Sequence, residues 1–196
     1  VEARQEIAAA GPAKITRIRL TNPGPAPLEL ECLGWAELVQ GNNRQAAAPM
    51  IRVRRDPGGR ALLAENGWSV EYAGRMTALA ADRPIAAARA DRRALFGRLS
   101  GQLRPFDPSG WPEAEDAMET HGDPCLAAVV RVEVPAGGSV NLAFALADTR
   151  AELMPALLAR LFEAPVPAGR CASHSSGSHR PACSPCRSSA APPRFR

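Results

Sequence analysis

The sequence predicts a mainly β protein: a partial antiparallel β-sandwich over residues 1–147, a linker helix over 148–163 and a disordered tail over 164–196. Three observations carry this. Short stretches with a period of two recur along the first 147 residues. Gly- and Pro-rich turns separate them. Beyond residue 163 apolar periodicity stops, and Arg, Pro, Ser, Ala, Cys, His and Gly dominate, a composition that cannot offset its own ordering entropy.

The elements follow in order. Ile18 and Leu20 alternate with Arg17 and Arg19, and Leu28, Leu30 and Cys32 alternate with Glu29 and Glu31. Between them Asn22-Pro-Gly-Pro-Ala-Pro27 cannot continue a ladder and must turn, giving a strand–loop–strand pair. Further short strands are expected at 34–39, 49–54, 60–64, 68–73, 75–80 and 84–89. Residues 99–124 form a long polar excursion, a length found in functional or poorly ordered loops. Val130, Val132 and Val134 then alternate with Arg131 and Glu133. Pro135-Ala-Gly-Gly138 turns, and Val140, Leu142, Phe144 and Leu146 return, reading as a hairpin. Thr149-Arg-Ala-Glu152 fits a capping box ahead of an apolar stripe of Leu153, Leu157, Leu158 and Leu161, with Pro155 as its flaw.

Charge excludes some functions. The net charge is +4, and residues 163–196 hold five of the 24 bases and one of the 20 acids. Residues 1–162 are therefore neutral, with 19 of each sign, and give no electrostatic case for nucleic acid. No run is apolar enough to span a membrane. The start at Val1, with no apolar signal core after it, suggests a piece of a longer protein.

Candidate site residues are few. Cys32 and Cys125 lie in apolar runs and read as reduced core thiols. Glu113, Glu115, Asp116 and Glu119 could supply paired carboxylates, against the plainer reading of a solvated acidic loop. His121 has no nucleophile beside it in sequence. Asp91, Arg92 and Arg98 are stronger candidates, because guanidinium forks bind carboxylates or phosphates; a structural ion pair holding the loop is the competing reading. Trp35, Trp68 and Tyr72 sit in apolar patterns and read as core, whereas Trp111 sits on the long loop as a contact candidate.

In the tail, Cys171, His174, His179, Cys183 and Cys186 have ligand-like letters but no small apolar core around them. No metal or other cofactor is therefore expected. The chain has 23 arginines and one lysine, a bias of GC-rich genes, and a frameshift after about residue 163 would produce this tail.

Several blocks resemble a known family in order and spacing. They are Arg17-Ile-Arg-Leu-Thr-Asn22, Leu28-Glu-Leu-Glu-Cys-Leu-Gly-Trp-Ala-Glu-Leu-Val39, Leu62-Leu-Ala-Glu-Asn66, Asp91-Arg-Arg-Ala-Leu-Phe-Gly-Arg98, Gly122-Asp-Pro-Cys125 and Val132-Glu-Val-Pro-Ala-Gly-Gly138. Together they resemble the N-terminal β-sandwich, or supersandwich, of glycoside hydrolase family 94, formerly grouped as glycosyltransferase family 36. The phosphorylase-like regions of cyclic β-1,2-glucan synthases are the nearest members by pattern. Two positions depart: Leu95-Phe96 reverses the family's Phe-Leu, and Ala90 replaces its glycine.

The resemblance implies a parent that cleaves or builds β-glucosidic bonds by inverting phosphorolysis. The family's catalytic groups lie in an (α/α)6 barrel that follows the sandwich and is missing here, so this chain is expected to be inactive. Its implied partners are a β-glucan or oligosaccharide and the barrel of its own parent. The implied location is cytoplasmic, with a parent that could be attached to the bacterial inner membrane. The alternatives are a stand-alone carbohydrate-binding module and a zinc or nucleic-acid adaptor acting through the tail.

Overall fold

The computed structural model describes residues 1–8, 11–67, 70–96, 111 and 118–163. Among them are nine strands: β1 (Glu2–Ile7), β2 (Ala13–Thr21), β3 (Leu28–Glu37), β4 (Ile51–Arg55), β5 (Ala61–Asn66), β6 (Arg75–Ala81), β7 (Ala87–Asp91), β8 (Pro124–Val134) and β9 (Ser139–Arg150). Three short helices join them: α1 (Arg44–Ala47), α2 (Arg92–Phe96) and α3 (Met154–Arg160). Six strands form one sheet in the order β1-β2-β9-β6-β5-β4, and three form a second in the order β3-β8-β7. All pairings are antiparallel. The expected antiparallel sandwich is what forms.

The two expected hairpins do not form. The loop after β2 leads to β3 in the other sheet, and the turn after β8 leads to β9 in the other sheet. β2 pairs instead with β9, and β3 with β8. Both connections are thus crossovers between the layers, and they lie against each other. Asn22, only 2% exposed, joins them. Its Nδ2 donates to the carbonyls of Ala26 (2.8 Å), Val134 (3.1 Å) and Pro135 (3.3 Å), and its Oδ1 accepts from Gly24 N (3.0 Å). Asn22 N donates to Gly138 O, and Gly137 N to Gly24 O. Turn chemistry is the same for a hairpin and a crossover, so sequence alone cannot separate them.

The sandwich interior is built from one parity of each strand. Leu62 and Ala64 of β5, Leu79 of β6, and Leu126 and Ala128 of β8 meet Ile51, Val53 and Ile85 at one end. Leu20, Ala81, Leu142 and Phe144 meet Val130, Val132 and Val134 at the other. Gly34 of β3 belongs to this face: a Cβ there would stand 2.5 Å from Phe144 Cδ1.

The opposite face of the large sheet is floored by alanine. The pairing aligns Ala13, Ala147, Ala78 and Leu63 in one row and Ile15, Ala145, Ala80 and Ala61 in the next. Small side chains let a helix sit close, and α3 lays Met154, Leu157 and Leu161 on this floor.

The capping box expected at Thr149 is absent, because β9 continues through Arg150. A 3₁₀ turn over Ala151–Leu153 follows, and α3 begins with Pro155 in its first turn, where a missing N–H costs nothing. The later start shifts the buried stripe to Met154, Leu157 and Leu161, and Leu153 is left 54% exposed.

Other expectations also change. The stretches 28–32 and 34–39 are one strand, β3, ending at Glu37. Residues 70–73 of the strand expected at 68–73 form turns. Trp35 is 38% exposed rather than core, because it shares the outward parity of Glu29 and Glu31. Tyr72 is half-buried on the turn. Trp68 lies outside the described residues. β1, polar along its length, gives no alternation in sequence and forms by pairing with β2.

Cys32 and Cys125 are free thiols, half-buried and buried. Burial pushes Cys125 up to about 12, and the Asp91 carboxylate adds to the rise. Burial also raises Cys32, with Arg83 opposing. A thiolate is the reactive form. Iodoacetamide at pH 8 followed by peptide mass spectrometry should therefore leave Cys125 unmodified in the folded chain and label it after denaturation. Labelling of both states at equal rates would contradict this burial. Below the ordinary value of 9.0 the Cys125 proton is bound in both states. Above it the unfolded chain releases the proton first, so this contribution to stability is lost as pH climbs from about 9 to about 12.

Candidate functional site

Charged side chains converge where β3 ends, β7 ends and β8 begins. Arg92, the first residue of α2, pairs through Nε with Glu37 Oε1, and its Nη1 lies 3.4 Å from Asp123 Oδ2. Arg44 of α1 completes the ring: its Nη2 is 2.8 Å from Asp123 Oδ1 and its Nη1 3.4 Å from Glu37 Oε2. Two carboxylates thus alternate with two guanidiniums. The hydrogen bond to Glu37 holds the Arg92 guanidinium charged, above its already high ordinary value. Local structure fixes each member. Asn43 caps α1 through its side chain, accepting from Gln45 N (2.8 Å) and Ala46 N (3.3 Å). Arg92 N donates to Asp123 O.

Asp91 faces elsewhere. Its Oδ1 accepts from Arg93 N (2.9 Å), and its Oδ2 is 3.6 Å from His121 Nδ1. His121 Nε2 is 3.4 Å from Glu119 Oε2. His121 (φ 47°) and Gly122 (φ 74°) are both left-handed, and Asp123 N closes the turn on Thr120 O at 2.9 Å. That is type I′ geometry, which aims the chain into β8.

The outward face of the small sheet continues from this cluster. Arg89 and Trp35 flank Ala127 in register. Trp111 packs on the cluster of Leu95, Cys125 and Ala127, as Leu33 does, with the Arg89 guanidinium 5.5 Å from the Trp111 ring centre. The contact candidate Trp111 is thus held against the sandwich.

A second polar assembly lies three residues beyond Glu37. Gln40 adopts a left-handed backbone (φ 38°). Its Nε2 donates to Thr77 Oγ1 (2.8 Å) and Ala64 O (3.2 Å). Thr77 Oγ1 donates to Asp148 Oδ2 (2.9 Å), whose other oxygen pairs with Arg75. The buried Asn66 donates to Gln40 O (2.6 Å). Gln40, Asn66, Arg75 and Asp148, with Glu71 and Tyr72, line a cleft of about 460 Å³.

Of the sequence candidates, Asp91, Arg92, Trp111, Glu119 and His121 fall around one end of the small sheet. Arg98, Glu113, Glu115, Asp116 and the tail residues Cys171, His174, His179, Cys183 and Cys186 lie outside the described residues. Glu37, Arg44 and Asp123 were not anticipated as charge partners. A usable signal existed: Glu37, Arg92 and Asp123 each sit within one of the resembling blocks.

A double-layered antiparallel sandwich with a helix on its outer sheet face is the architecture, and residues 1–162 match the family model of the glycosyl hydrolase 94 supersandwich domain. The chain belongs to this family. It is also similar to the cyclic beta-(1,2)-glucan synthase NdvB of Rhizobium meliloti (strain 1021), with 34% identity over 148 residues. That alignment covers 76% of this chain and 5% of the relative. Among the described residues no helix is long and apolar enough to cross a membrane.

Proposed function

We propose that this chain is the non-catalytic β-sandwich part of a β-glucan phosphorylase or cyclic β-1,2-glucan synthase-like enzyme, working on the cytoplasmic side. Its tasks are to hold glucan and to contact the catalytic domain. The family match across residues 1–162 carries the reading. The similarity to a cyclic glucan synthase points to β-1,2-linked glucose. The test is calorimetric titration of the full chain with linear β-1,2-glucooligosaccharides, with a parallel assay for glucose 1-phosphate release in phosphate. Saturable binding without product is expected. An absence of binding removes the glucan-holding role, and product formation removes the non-catalytic one.

A further inference from the structure

The cleft bounded by Gln40, Asn66, Tyr72, Arg75 and Asp148 has three properties of a ligand site. It is concave and of small-molecule size, within the range of roughly 300–1,000 Å³ typical of such sites. Its wall combines one aromatic ring with planar polar groups, which suits a ring bearing vicinal hydroxyls: the hydroxyls meet carboxylate, guanidinium and amide edges, and the carbon face meets the aromatic. Its polar wall is also under strain. Gln40 holds a left-handed backbone (φ 38°), a conformation that a non-glycine residue adopts only at a cost. The Gln40 Oε1 is buried and accepts no hydrogen bond among the described residues. A buried oxygen without a donor is costly, and a ligand donor reached by a small rotation of the amide would recover that cost.

We propose that this cleft is a carbohydrate subsite that takes one pyranose unit of a neutral glucan. The identity of the sugar as glucose rests on the functional reading above; the place and the residues do not. Asp148 and Arg75 bind adjacent hydroxyls from one side, the Gln40 and Asn66 amides line the floor, and Tyr72 supplies the platform. Ala151 N donates to Gly74 O (2.8 Å), tying the turn that carries Tyr72 to the chain entering α3.

The test is titration of the ¹⁵N-labelled full chain with a β-1,2-linked glucotriose, followed by NMR. Saturable shifts should appear at the side-chain amides of Gln40 and Asn66 and at the backbone of 70–75, with a dissociation constant on the order of 1 mM. Asp148→Ala should weaken binding about tenfold or more, as expected for loss of a charged hydrogen-bond partner. Tyr72→Ala, on a turn and half-buried, should do so without unfolding the sandwich. Shifts confined to the Trp35–Trp111 face, or full affinity in Tyr72→Ala, would overturn the cleft while leaving glucan binding in place. No shift anywhere would overturn both.

Discussion

Asn22→Ala is expected to lower the melting temperature of the full chain by roughly 10 °C. The side chain is buried and serves both crossovers: its amide donates to Val134 O and Pro135 O at the start of the second and to Ala26 O in the first, and its oxygen takes the Gly24 N–H of the first. Alanine leaves the Val134 carbonyl and the Gly24 N–H without this partner. Unsatisfied groups of this kind cost about 1–3 kcal/mol each, so a total of about 2–6 kcal/mol follows. In a domain of this size each kcal/mol moves the midpoint by about 2–4 °C. Asn22→Asp should fare no better at neutral pH, since it sets a carboxylate against backbone carbonyls. Thermal denaturation followed by circular dichroism decides the matter, and a midpoint within about 2 °C of the parent would show that the crossovers hold without Asn22.

Gly34→Ala is the second large effect. The added methyl would stand 2.5 Å from Cδ1 and 2.6 Å from Cε1 of Phe144, inside contact distance. Overpacking of this kind costs about 1–3 kcal/mol. Phe144→Ala alone should cost about 3–5 kcal/mol, because the ring fills the space between the sheets. The two are not independent: once the ring is removed, the methyl at 34 has room. The double variant should therefore be more stable than the sum of the singles predicts, by about 1 kcal/mol or more. Urea unfolding of the four proteins measures this coupling, and strict additivity would place the clash elsewhere than at Phe144.

Strands were legible in the sequence because each side of the sandwich imposes a period of two. The Val130–Val134 and Val140–Leu146 alternations gave β8 and β9, and Leu28–Cys32 gave β3. Which strands pair was not legible. Asn22-Pro-Gly-Pro and Pro-Ala-Gly-Gly138 reverse the chain equally well within a sheet or between sheets, and the choice is made by Asn22 and by strands more than a hundred residues away. Splitting β3 into 28–32 and 34–39 also lost its parity; carried through unbroken, the alternation places Trp35 outside with Glu31 and Leu33.

The charged ring illustrates the same limit. Asp91 and Arg92 could be singled out from their chemistry, but Arg92 lies 55 residues from Glu37, and Arg44 lies 79 from Asp123. No local pattern links such partners. The family resemblance was a better guide than periodicity, because the polar ends of three of its blocks, Glu37, Arg92 and Asp123, meet in space. Most of the cleft had no sequence signal: Asn66 ends one of the resembling blocks, but Tyr72 reads as a core aromatic, and Gln40 sits in a connection with no pattern at all.

The strand order has a consequence for how the chain acquires its shape. The last two of the described strands to be made are inner members of the two layers: β9 lies between β2 and β6, and β8 between β3 and β7. Until β8 has been made, the nascent chain can assemble only peripheral ribbons, β1 with β2 and β4 with β5 and β6, and until β9 follows the two parts of the large sheet stay apart. Their inner edges wait open for a keystone that has not yet been synthesised. Such late, long-range closure makes folding slow and leaves unpaired edges exposed meanwhile. A growing chain of this kind gains from anything that shields those edges before β8 and β9 arrive.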